Sequence, residues 1–353
     1  MPERWGESHP FWITMKAWND RTMAETAEPN AEDRMLELNR RNFVALSVGT
    51  GLTAGFAMAA QPGMAQTTNE RNLRMAYSNK HIATPFGDIA YTEQGKGPAA
   101  LFVHGVFKNA YFWRHVIERV SDLRRCIAVD LMAHGATRTA PDQDVSFTVQ
   151  AEMLEAFCDR LNLNQVDLVA NDSGAGIAQI FAARHPGRIR TITITDSDTH
   201  DNWPPPAFMP TVEAARQGKL AERSKRLLDD PNFARSAYSR SYEHPENISD
   251  ETLRIYLEPI FGTPEAMRNV ERFVAGQDSR HTVPIAPLLR RLEAPALVVW
   301  ATNDVFFPVK WAYWLRGALP NCRPVIELEG AKLWFPEERP EELVKPLREH
   351  WGA

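Results

Sequence analysis

The chain has 353 residues, 44% of them hydrophobic and 24% charged, enough apolar side chain for a large buried core. A formal net charge of −5 lacks the basic excess expected of a nucleic-acid binder. Cys126, Cys158 and Cys322 lie far apart with no CxxC step, so neither a disulfide framework nor a thiolate metal site is indicated.

In chain order, 1–34 is a charged, irregular N-terminal extension, with Met23 and Met35 as alternative starts. Within 35–66, Arg40-Arg41 precede a Gly- and Ala-rich run from Ala45 to Ala60, followed by the small residues Gly63 and Ala65. A membrane anchor needs about 18 or more strongly apolar residues, and Gly, Ser and Thr dilute this run. The segment resembles a twin-arginine export signal. That implies cleavage between Ala59 and Gln66 and a periplasmic destination, with a cytoplasmic one as the alternative. No stable membrane span is expected in the mature chain.

Beyond the signal, Ala99–Val103, Cys126–Val129, Val166–Ala170, Thr191–Ile194 and Ala296–Trp300 read as strands buried on both faces. Helical patterns at Trp113–Arg124, Val149–Leu161, Ala175–His185 and Pro308–Ala318 lie between or after them. The alternation predicts an α/β fold with a doubly wound, mostly parallel sheet. The expected core is split into 67–198 and 284–353, with an inserted helical cap at 199–283 rich in Pro, Arg and Tyr. Ligands of such sheets bind beyond the carboxyl ends of the strands, so the residues just after each strand are the candidates.

Val169-Ala170-Asn171-Asp172-Ser173-Gly174 ends one strand and opens a helix. A nucleophile on so sharp a turn needs small residues two positions before and after it. Centring on Asp172 puts Ala170 and Gly174 there, whereas centring on Ser173 puts Asn171 at the first place. Asp172 is the better nucleophile, although an Asp here could instead simply cap the helix. His104-Gly105-Val106-Phe107 and Asn303-Asp304-Val305-Phe306 follow two further strands.

With these motifs, the chain from about residue 80 onward resembles an α/β-hydrolase. An Asp at the elbow is similar to the branch containing haloalkane dehalogenases and epoxide hydrolases. The resemblance implies Asp172 as nucleophile and Asp304 as the acid that orients a catalytic His. It also implies an anion hole from the N–H groups of Val106 or Phe107 and of Ser173. Three positions depart from the pattern: Leu333 stands where the His belongs, Ser173 replaces a halide-binding Trp, and Val106 replaces a halide-binding Asn. His200, after the strand at Thr191–Ile194, is the first substitute for the missing base and His104 the second, with Lys332 a further option if burial lowers its pKa. Tyr238 and Tyr242 of the cap, with Phe306 and Trp334, are expected at the substrate pocket. Paired cap tyrosines in epoxide hydrolases protonate the epoxide oxygen, although rings of this size also pack cores.

The reading is a cofactor-independent hydrolase acting on a small to medium, mostly apolar molecule, with no metal. The bond cleaved would be carbon–halogen, epoxide or ester-like. The alternatives are a Ser173-dependent esterase or lactonase and a non-hydrolytic ligand-binding descendant. The expected partner is a small-molecule substrate, and the oligomeric state is open.

Overall fold

Uninterrupted apolar runs become strands buried along their whole length. The computed structural model describes residues 80–352; the expected extension and export segment lie outside the described residues. Eight strands form one sheet: β1 (Lys80–Thr84), β2 (Gly87–Gln94), β3 (Ala99–Val103), β4 (Arg125–Val129), β5 (Val166–Asn171), β6 (Ile189–Ser197), β7 (Ala296–Ala301) and β8 (Ile326–Leu328). Their order is β1-β2-β4-β3-β5-β6-β7-β8. The hairpin β1–β2 and the β2–β4 pair are antiparallel, and every pairing beyond β4 is parallel. Parallel neighbours need crossovers, and the connecting helices cover the sheet.

Between the strands of the first half lie α1 (Arg114–Val120), α2 (Phe147–Arg160) and α3 (Asp172–Arg184). The helix expected at Trp113–Arg124 is shorter and is entered through a 3₁₀ turn, Ala110–Trp113, capped by the Asn109 side chain. Between β6 and β7 come α4 (Met209–Arg216), α5 (Leu220–Asp229), α6 (Pro231–Tyr238), α7 (Asp250–Phe261), α8 (Pro264–Ala275) and the short α9 (Ala286–Leu289). Side-chain caps start several of them: Asp230 for α6, Ser249 for α7 and Thr263 for α8, each satisfying helix N–H groups that lack an intrahelical partner. The chain ends with α10 (Lys310–Ala318), β8, α11 (Phe335–Glu338) and α12 (Pro340–His350). No helix of the described residues is long and apolar enough to cross a membrane.

The two edges of the parallel strands carry acids in opposite states. At the amino edge, buried Asp167 accepts from Arg124 Nε (2.6 Å), Arg190 Nε (3.0 Å) and Thr191 Oγ1 (2.9 Å). At the carboxyl edge, β5 ends at Asp172, β6 at Asp196-Ser197-Asp198, and β7 leads into Asp304. Those acids have far fewer partners.

Candidate active site

The turn from β5 into α3 holds Asp172 at a left-handed φ of +58°. Such a backbone is strained for a residue other than Gly and tends to persist only where the surroundings impose it. The surroundings are tight. A Cβ at Gly174 would fall 2.0 Å from the carbonyl oxygen of His104, and one at Gly105 would fall 2.3 Å from Asp172 Oδ2. Asn171 caps α3 with its backbone, while its Nδ2 donates to Thr195 Oγ1 (3.0 Å) and to the carbonyl of Leu333 (3.1 Å). The residue before the elbow thus anchors the loop that carries Leu333.

Asp172 and Leu333 both line a cavity of about 250 Å³. Val106, Phe107, Asp198, Phe306, Phe307 and Trp334 contribute from the sheet edge, and Phe208, Leu227, Phe233, Tyr238, Leu257 and Phe261 from the segment between β6 and β7. The wall is mostly apolar, as small-molecule sites usually are. Phe107, itself at φ +59°, packs its ring on Phe208 and Phe261.

Burial pushes the Asp172 carboxyl up to about 7 and the Asp304 charge adds to this, while the Ser173 and Val106 N–H groups and Lys108 pull it down. Of the two expected hole donors after His104-Gly105, Val106 is therefore the one facing the carboxylate. Asp304 is also raised to about 7 by burial. Its Oδ1 accepts the Phe306 N–H at 2.7 Å, and its Oδ2 has no hydrogen-bond partner.

Several expected residues lie elsewhere. The His200 ring stacks on Trp314 at 4.7 Å and its Nδ1 sits 3.2 Å from Asp201 Oδ1. It is not among the cavity-lining residues, because a left-handed φ of +49° and the tryptophan of α10 hold it away. His104 is fully buried with both nitrogens committed to backbone: Nδ1 lies 2.8 Å from the Gly105 carbonyl, and Nε2 accepts the Leu131 N–H at 3.1 Å. Burial drives its pKa well below the usual imidazole range, so it is a neutral loop organiser and not a base. Lys332 donates to the carbonyls of Ser239 and Tyr242 and leaves Asp304 alone. No histidine is among the residues lining the cavity.

Tyr238 and Trp334 line the cavity as expected, and Phe306 with them, but Tyr242 does not. It belongs to a buried ionic cluster that sequence reasoning did not find. Glu337 is paired there with Arg114 and, at 3.7 Å, with Lys108, and it accepts from Tyr242 and Tyr256. Lys108, fully buried, bonds Tyr242 and lies 3.9 Å from the ring centres of both Tyr256 and Trp334. Burial brings Lys108 down to about 7. Glu337 is held at about 2 by Arg114 and Lys108, although burial alone would raise it.

Comparison with known proteins agrees with this geometry. Residues 98–250 match the family described as the alpha/beta hydrolase fold. The chain has the α/β-hydrolase fold, in which a nucleophile is placed on such an elbow. Among proteins of that fold it resembles the haloalkane dehalogenases. It is 32% identical over 193 residues to a haloalkane dehalogenase of Mesorhizobium japonicum, a match spanning 52% of this chain and 60% of that protein. It is 24% identical to Epoxide hydrolase 2 of Caenorhabditis elegans over 71% of this chain and 73% of that one. The crystal structure of an ancestral haloalkane dehalogenase superposes with a TM-score of 0.65 at 26% identity, covering 77% of this chain and 98% of the other.

Proposed function

We propose that this α/β-fold hydrolase cleaves a small, mostly apolar molecule through Asp172 and a covalent ester. The observation that carries the reading is Asp172 itself, held at the elbow on an apolar cavity with the Val106 and Ser173 N–H groups facing its carboxylate. A carboxylate oxygen would bond to an electrophilic carbon of the substrate as the bond to halide or oxygen breaks, the leaving atom keeping the electron pair. Water would then add to the ester carbonyl carbon. The resulting oxyanion would meet those two N–H groups, donors of a kind typically worth about 2.7–4 kcal/mol each. Collapse would expel the alcohol and return Asp172. Haloalkane and epoxide substrates both fit this scheme.

The Ser173 reading is weaker, since Ser173 is fully buried and does not line the cavity. A ligand-binding descendant draws support from the absence of a histidine there. We also propose export through the twin-arginine route; replacing Arg40 and Arg41 by lysine should then stop periplasmic accumulation.

Intact-mass measurement after incubation with 1-bromobutane and with styrene oxide tests the main reading. An adduct mapped to Asp172, together with a turnover loss of about 10⁴-fold or more in freshly prepared Asp172→Asn, is the expected result. Neither adduct nor turnover would leave the binding protein as the answer.

A further inference from the structure

The cavity holds a second acid beside the nucleophile. Asp172 forms a parallel bridge with Ser197 beyond the end of the β5–β6 ladder, so Asp198 is the residue next to the nucleophile's cross-strand partner. Asp198 lines the same cavity, is only 1% exposed, and its Oδ1 has no hydrogen-bond partner. An unpartnered buried carboxyl oxygen is costly and serves no evident packing purpose. The Asp198 backbone, by contrast, is firmly held: its carbonyl accepts from Gln179 Nε2 (2.9 Å) and Ser197 Oγ (2.8 Å). The neighbouring imidazoles and Lys332 are all engaged elsewhere, as described above.

We propose that Asp198 is the proton carrier of this site, giving its proton to a leaving oxygen and taking one from the water that splits the Asp172 ester. The inference rests on the Asp172 reading. Burial, then the charges of Asp172 and Asp304, keep Asp198 well above the usual carboxylate range, so it enters the cycle as the acid. With an epoxide, an Asp172 oxygen bonds to a ring carbon, the carbon–oxygen bond breaks, and the freed oxygen takes the Asp198 proton. Water then bonds to the ester carbonyl carbon and loses a proton to the Asp198 carboxylate. As the tetrahedral species collapses, the departing alkoxide takes that proton and leaves as the diol. Asp172 is left as the acid; its proton passes to Asp198, and both groups are reset. The sum is epoxide plus water giving diol. A departing halide needs no proton, so with an alkyl halide Asp198 first gives its proton to solvent, the net products being alcohol, halide and H⁺, and then serves only the water step.

That asymmetry provides the test. In full-length Asp198→Asn, checked for folding by circular dichroism, 1-bromobutane should alkylate Asp172 at the unmodified protein's rate, and the ester should persist. Styrene oxide opening should fall by about 10²–10⁴-fold, the usual contribution of a positioned proton donor. In Asp198→Ala, added formate should restore styrene oxide turnover while leaving the unmodified protein unaffected; this arm decides the matter if the Asn variant does not fold. Equal losses on both probes, full retention on both, or no rescue by formate would overturn the role of Asp198. Failure of the unmodified protein to form any Asp172 ester would instead remove the underlying reading, and this inference with it.

Discussion

The acids at the carboxyl edge of the sheet and the ionic cluster behind Trp334 are both buried and both ionisable, yet they are completed differently. Around Glu337 the protein supplies Arg114, Lys108, Tyr242 and Tyr256, so both carboxylate oxygens are engaged. Around Asp172, Asp196, Asp198 and Asp304, each residue keeps one carboxyl oxygen without a hydrogen-bond partner. Burial raises every one of these acids, yet the outcomes oppose: Arg114 and Lys108 bring Glu337 down to about 2, whereas Asp172 and Asp304 stay raised at about 7. A saturated cluster of this kind fixes structure. An unsaturated one leaves sites on which a substrate or a proton can act, and perturbed acids in a cleft are where chemistry is usually found.

The sharpest way to break this contrast is to unbalance the saturated side. Glu337→Ala leaves two buried cations without their acid and should destabilise the fold by about 3–5 kcal/mol, measured by urea unfolding. Adding Lys108→Met should recover part of that loss. If the double variant is no more stable than the single one, Lys108 and Glu337 do not stabilise each other.

The dependence on pH sharpens it next, because the signs oppose. Asp172 rises from an ordinary 3.8 to about 7, so the folded chain holds that proton more tightly than the unfolded one. Its contribution is full below about pH 4 and is lost as the pH climbs towards 7. Glu337 falls from 4.5 to about 2, so its contribution is full above pH 4.5 and is lost as the pH drops towards 2. Between pH 5 and 8, Asp172→Asn should gain on the unmodified protein by a few kcal/mol at most, given about 1.4 kcal/mol per pKa unit. Parallel stability curves for the two proteins would refute this.

Smaller effects separate the two tyrosines and the elbow serine. Tyr242→Phe should cost about 1–3 kcal/mol by stranding Glu337 and Lys108, with turnover unchanged. Tyr238→Phe should instead leave stability unchanged and raise KM. Ser173→Ala removes a buried hydroxyl with no partner, so it should stabilise by about 1 kcal/mol and keep full activity. Any large loss of activity in that variant would return Ser173 to consideration as the nucleophile.

The five parallel strands were readable because runs such as Ala99–Val103 and Val166–Ala170 are apolar throughout, which burial on both faces requires. The hairpin β1–β2 and the short β8 were not, since Lys80–Thr84 and Ile326–Leu328 are partly exposed edge segments with mixed character. The elbow at Asp172 was legible from the small residues Ala170 and Gly174 around it, although those sterics alone left a helix-capping Asp and Ser173 as alternatives. The Glu337 cluster was not, because its Arg114 pair joins residues 223 positions apart and nothing local marks such a pairing. Asp198 stood in plain view within Asp196-Ser197-Asp198-Thr199-His200. The eye goes there to His200, the ordinary base, whereas in the structure it is the carboxyl two places earlier that lines the cavity.

The Asn171 side chain has an evolutionary consequence. It grips the carbonyl of residue 333 and not its side chain, so this tether does not depend on which amino acid stands there. The position is thereby freed to mutate without dismantling the elbow. A lineage with this arrangement could lose an imidazole and regain it by a single replacement, moving between slow and fast release of product while every other part of the pocket stayed as it is. Leu333→His in this chain would place an imidazole on that held loop, and the lifetime of the Asp172 ester would record whether the rest of the pocket can use it.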